Sequence, residues 1–76
     1  MRHTAENSEE LEYNGDILTV YYEYKYDIEF HVNGATEDIP DRKSIKIYDI
    51  QDELGYVVQG LSKDQEEEIK ELIEFK

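Results

Sequence analysis

Every even-numbered residue from 18 to 32 is apolar or aromatic: Leu18, Val20, Tyr22, Tyr24, Tyr26, Ile28, Phe30 and Val32. The intervening odd positions run Ile17, Thr19, Tyr21, Glu23, Lys25, Asp27, Glu29 and His31. Successive side chains of a β-strand point to opposite faces, so this period of two describes a strand with one buried and one wet face. The even set is rich in the aromatic and β-branched residues that suit a pleated surface. Laid straight, residues 17–32 would reach about 50 Å at ~3.3 Å each. A compact domain of this size is only about 30 Å across. The run is therefore expected to bend sharply, or to fold over near Lys25-Tyr26-Asp27. A two-residue turn would swap the parity of the inward set, and no swap occurs. One long bent strand is the favoured reading, with a three-residue loop as the alternative.

The flanks supply punctuation. Asn14-Gly15 is the preferred pair for a two-residue type I′ hairpin, because both central positions need positive φ. Such a loop sets Tyr13 opposite Asp16 and Leu11 opposite Leu18, which places the two leucines on one face. Residues 1–8 carry no apolar pattern and read as a flexible tail, leaving 9–76 as a single domain. Asn33-Gly34 ends the alternating run, and 35–43 reads as an acidic loop around the one proline, Pro40. Residues 44–50 form a further strand in which Ile45 and Ile47 share a parity that Ile50 breaks, so a bulge is expected near Tyr48-Asp49. Residues 51–55 read as a turn and 56–59 as a short strand.

The helix signal is at the end of the sequence. Ser62 and Gln65 have the spacing of a capping box, Asp64, Glu66 and Glu67 lie where the helix dipole favours negative charge, and Lys76 lies at the other end. Ile69, Leu72 and Ile73 make a narrow apolar stripe that must pack on the sheet, since a helix of ~14 residues is marginal alone. The expected architecture is α+β: a small antiparallel or mixed sheet of three or four strands, one long and bent, with one C-terminal helix on one face. The expected core is Leu11, Leu18, Val20, Tyr22, Ile28, Phe30, Val32, Ile45, Ile47, Val58, Ile69, Leu72 and Ile73.

Charge and chemistry narrow the function classes. Twenty acidic residues against eight basic ones give a net charge of −12. That balance repels nucleic-acid phosphates and anionic lipid and attracts basic protein surfaces, although surplus carboxylate also serves solubility. There is no cysteine, hence no disulfide and no thiolate metal site, which fits a reducing cytoplasm. Residues 1–10 lack the basic start and apolar middle of a signal peptide, and no run approaches the ~18 apolar residues of a membrane span. Nucleophile elbows, glycine-rich phosphate loops and calcium-loop spacing are missing. The expectation is a binding protein with no catalytic residues, no metal and no cofactor.

Two surfaces are candidates for that binding. Tyr21 falls on the polar face beside Glu23, where the alternation does not require an aromatic, and tyrosine is a favoured contact residue. Asp64, Glu67, Glu68, Glu71 and Glu74 form an acidic helical face. Such a face is ordinarily only solvated, yet carboxylates spaced on a rigid rod can approximate a row of phosphates. His31, also on the polar face, reads as an exposed histidine near Glu29.

The order of Leu18-x-Val20-x-Tyr22-x-Tyr24, a proline-bearing loop, Ser44-Ile45-Lys46-Ile47, a glycine-bearing turn, Leu61-Ser62-Lys63-Asp64-Gln65 and an acidic terminal helix resembles small acidic proteins of tailed bacteriophages, most of unassigned function. The long aromatic run and the hairpin-like start depart from that group. The resemblance implies a phage or prophage origin and a host cytoplasm, and transfers no functional residue. Together these readings lead to a small viral binding module whose acidic surface docks on a basic, nucleic-acid-binding host protein and inhibits it as a DNA mimic, without touching nucleic acid or membrane itself. The alternative is an assembly component that forms homodimers or larger oligomers through strand edges.

Overall fold

A computed structural model describes residues 2–75. Three strands, β1 (Arg2–Tyr13), β2 (Asp16–Phe30) and β3 (Thr36–Gln51), precede one helix, α1 (Lys63–Leu72). The strands form an antiparallel meander in the order β1-β2-β3. The first turn has the geometry its sequence demands: Asn14 and Gly15 take φ of 52° and 83°, and Tyr13 faces Asp16 while Leu11 faces Leu18.

That register continues to Arg2 opposite Asp27, so residues 2–8 belong to a strand and not to a tail; Met1 lies outside the described residues. Apart from Ala5 their side chains are polar, but a long β2 presents backbone donors and acceptors that must be met. Side-chain contacts then fix the pairing. His3 stacks on Tyr26 with ring centroids 5.3 Å apart, and Asn7 donates to the Tyr22 hydroxyl at 3.2 Å. Arg2 donates to Asp41 across the sheet.

The segment expected as a loop, 35–43, is also mostly strand, because β3 begins at Thr36. Pro40 lies opposite Tyr26, and an edge strand is where a sheet tolerates proline. Two irregularities interrupt the β2–β3 ladder. Tyr21 faces Asp49 and Tyr22 faces Ile47, which leaves Tyr48 as the extra residue of a bulge at the expected place. Glu23 faces Lys46 and Lys25 faces Asp41, so 42–45 are extra residues opposite Tyr24, with Arg42 and Lys43 exposed and Ile45 buried in the core. Ser44 supplies the missing rung: its hydroxyl accepts from the Lys25 amide at 2.7 Å and donates to the Asp41 carbonyl at 2.6 Å.

The strands keep nearly their full length because the molecule is elongated, 46 × 21 × 17 Å. No sharp bend is needed once the assumption of a compact shape is dropped. After β3, the Asp52 carboxylate accepts from the amides of Leu54 and Tyr56 at 2.9 and 3.0 Å and holds the turn. The fourth strand expected at 56–59 is a single bridge, Gln51 to Val57, beside a Val58 amide bonded to the Ile50 carbonyl.

Ser62 caps α1 as expected. Its hydroxyl accepts from the Gln65 amide at 3.2 Å, and the Gln65 side chain accepts from the Ser62 amide at 2.9 Å. Ile69 and Ile73 are fully buried against Leu18, Val20, Tyr22, Ile45 and Ile50. Phe75 closes the cluster edge-on to Tyr22 and Tyr24, with centroids at 6.2 and 4.9 Å. The buried Glu9 carboxylate accepts from the Glu74 amide at 2.9 Å, joining the chain beyond the helix to β1. Arg42, pushed out by the second irregularity, donates to the Lys70 and Glu71 carbonyls at 2.9 and 3.4 Å and lies 5.1 Å over the Phe75 ring. A guanidinium there meets carbonyls at the negative end of the helix dipole.

The core is shorter than the alternation implies. A ten-residue helix is about 15 Å long and cannot cover a sheet of this length. Phe30 and Val32 therefore stand 79 % and 109 % exposed near the β2–β3 turn. Ile28 is only half-buried, and Leu72 turns aside from the sheet, 43 % exposed. Leu11, Ile47 and Val58 are partly buried around the core.

Candidate protein-binding surface

Strand parity assigns the candidate residues to two opposite faces. Val20 and Tyr22 point toward the helix, so Tyr21 and Glu23 occupy the open face of the sheet. Asp64, Glu67, Glu68, Glu71 and Glu74 belong to the helix side. The expected residues therefore form two patches.

On the open face, the Tyr48 bulge turns the Tyr48 ring toward Tyr21, with centroids 6.4 Å apart. Glu6 faces Glu23, which in turn faces Lys46. Partial burial, and then the fields of Glu6 and Glu23, raise the Tyr48 hydroxyl above the ordinary tyrosine value. The patch around Tyr21 and Glu23 thus also contains Tyr48 and Glu6. Neither was singled out from sequence, although the parity break at Tyr48-Asp49 carried the signal for Tyr48.

On the helix, Ile69 and Ile73 define the inward side. With 3.6 residues per turn, Asp64, Glu67 and Glu71 fall on the outward side, separated along the axis by about 4.5 and 6 Å. Glu67 also accepts from Lys70 at 3.4 Å. Glu68 flanks this line and accepts from the Tyr13 hydroxyl, a bond that raises the Tyr13 hydroxyl above its ordinary value. It is thereby engaged in holding the helix to β1. Glu74 follows the C-cap residue Ile73, so it lies beyond the helical row.

Comparison with protein-family models, curated proteins and solved structures returns no match. The residues themselves carry the functional reading.

The distribution of charge along the long axis is uneven. Residues 8–22 and 48–68 hold eleven carboxylates and one cation, Lys63. They make the end where the β1–β2 turn, the Asp52 turn and the start of α1 meet. Of the other cations, Arg2 engages Asp27 and Asp41 and Arg42 the helix terminus, whereas Lys70 pairs with Glu67 of that acidic end. The Arg2 guanidinium holds the Asp41 carboxyl below its ordinary value. Among the described residues no three His, Asp or Glu side chains gather into a metal site, and no helix is long and apolar enough to cross a membrane.

Proposed function

We propose that the protein is a small acidic binding module that docks on a basic, nucleic-acid-binding protein and competes with nucleic acid for it. The observation that carries this reading is the concentration of carboxylates on an ordered end of the molecule, with Asp64, Glu67 and Glu71 in an outward row where Lys70 meets Glu67. A basic groove meeting such a surface gains electrostatic steering, much as it does from a phosphate backbone. The resemblance to small acidic phage proteins supports a partner in a bacterial host cytoplasm. The test is capture of a partner from bacterial lysate, repeated with Glu67, Glu71 and Glu74 each changed to lysine. Capture should fall as salt rises from about 50 to 200 mM and be displaced by duplex DNA. Capture that ignores both salt and DNA refutes the reading.

A second reading rests on the open edges of β1 and β3 and on the β2–β3 ribbon, whose Phe30 and Val32 are uncovered. A two-stranded ribbon is marginally stable without support, and a second copy could supply it by edge pairing. A stable dimer in light scattering at micromolar concentration favours this assembly role.

A further inference from the structure

The acidic end is not only charged but hollow. A cleft of about 520 Å³ opens between the β1–β2 turn, the Asp52 turn and the segment leading into α1. Its floor carries the apolar side chains of Leu18, Val58 and Leu61, and Leu54, 80 % exposed, lines it as well. Asp16 and Glu53, both exposed, stand on the rim with Asp52, whose carboxylate is held by the turn amides, and among the described residues no lysine or arginine lines the cleft. Three distant stretches of chain thus converge on a hollow with an apolar floor and a polar, negatively charged edge. Leu54 sits in a turn, where its exposure means that it adds little to the core.

This pairing of features selects the occupant. Nucleic acid and a second copy of this chain would both bring negative charge to a negative rim. A purely cationic chain would meet the rim but leave the apolar floor in water. A segment with an apolar side chain flanked by cations satisfies both, and the hollow lies within the ~300–1,000 Å³ range of ligand-sized pockets. We propose that this cleft receives a partner segment in which an apolar side chain is flanked by lysine or arginine. The apolar group enters beside Leu54, and the cations meet Asp16 and Glu53. The inference deepens the acidic-module reading and rests on it.

The test uses two probes on the isotope-labelled full chain: a short peptide alternating lysine and leucine, and an oligolysine of equal charge. Backbone amide shifts report where each binds. The lysine–leucine peptide should move the amides of Ile17, Leu54 and Val58 together and bind about tenfold more tightly than oligolysine, the expected gain from burying one aliphatic side chain. Leu54→Ser, at an exposed position that leaves the fold intact, should abolish that preference and leave oligolysine binding unchanged. Asp16→Asn combined with Glu53→Gln should weaken both probes. If the preference survives Leu54→Ser, or the shifts centre on Asp64, Glu67 and Glu71, the cleft is not the site while the acidic-module reading stands. If neither probe binds at low salt, that reading fails as well.

Discussion

Replacing Ile69 with alanine should release the helix, whereas the same change at Leu72 should be mild. The two residues belong to one apolar stripe, yet Ile69 is fully buried and Leu72 is 43 % exposed. Truncating a buried isoleucine to alanine costs about 2–5 kcal/mol. A chain of this length has roughly 4–11 kcal/mol in total, at ~0.05–0.15 per residue. Leu72, already half in water, should lose about 1 kcal/mol. With a urea dependence near ~1 kcal/mol per molar for a small domain, Ile69→Ala should lower the unfolding midpoint by about 2 M or more, and Leu72→Ala by about 1 M or less. Far-UV circular dichroism and tyrosine fluorescence, followed through the same urea titration, measure both variants. Equal shifts for the two variants, or a shift under about 0.5 M for Ile69→Ala, would refute this seating of the helix.

Other outcomes follow from the same contacts. Glu9→Ala removes the acceptor of the Glu74 amide inside the fold and should cost about 1–3 kcal/mol, read in the same urea titration; Glu9→Gln, which keeps an acceptor, should lose less. Arg42→Ala removes two bonds to helix-terminal carbonyls and the contact with Phe75, and should cost about 1 kcal/mol. Arg42→Lys should recover only part of it, because an ammonium lacks the planar fork. Burial pushes the Tyr22 hydroxyl above the ordinary 10.0. The folded chain therefore keeps a proton that the unfolded chain loses, so its contribution is complete below pH 10 and declines as pH rises through the folded value. Tyrosine absorbance should show Tyr22 ionising together with unfolding. Asp41 behaves oppositely: Arg2 depresses its pKa, so its contribution is present above the ordinary 3.8 and disappears as pH falls through the folded value.

Local signals were legible where local chemistry decides the outcome. The Asn14-Gly15 turn fixed the Leu11–Leu18 register, the Ser62–Gln65 box fixed the start of the helix, and the parity break at Tyr48-Asp49 located the bulge. The polar strands at 2–8 and 36–43 were not legible. Backbone pairing with a long neighbour holds them, and hydrophobic patterning reports side-chain burial instead. The limits of the core were hidden for a related reason. The alternation of β2 continues past the end of helical cover, and only the docked position of α1 separates buried Tyr22 from exposed Phe30. At the candidate surface, helical periodicity anticipated the outward carboxylates. It could not anticipate that Tyr13 engages Glu68, or that Glu9, one acid among twenty, is buried.

Fixed carboxylates require a fixed backbone, and amide hydrogen exchange on the isolated chain tests that most directly. Slow exchange should run through β2, through those alternate amides of β1 and β3 that point to it, including the ones within residues 2–8, and through the helical amide of Ile69. Exchange at unstructured-chain rates throughout would show a flexible polyanion with no patterned surface, contradicting the whole account.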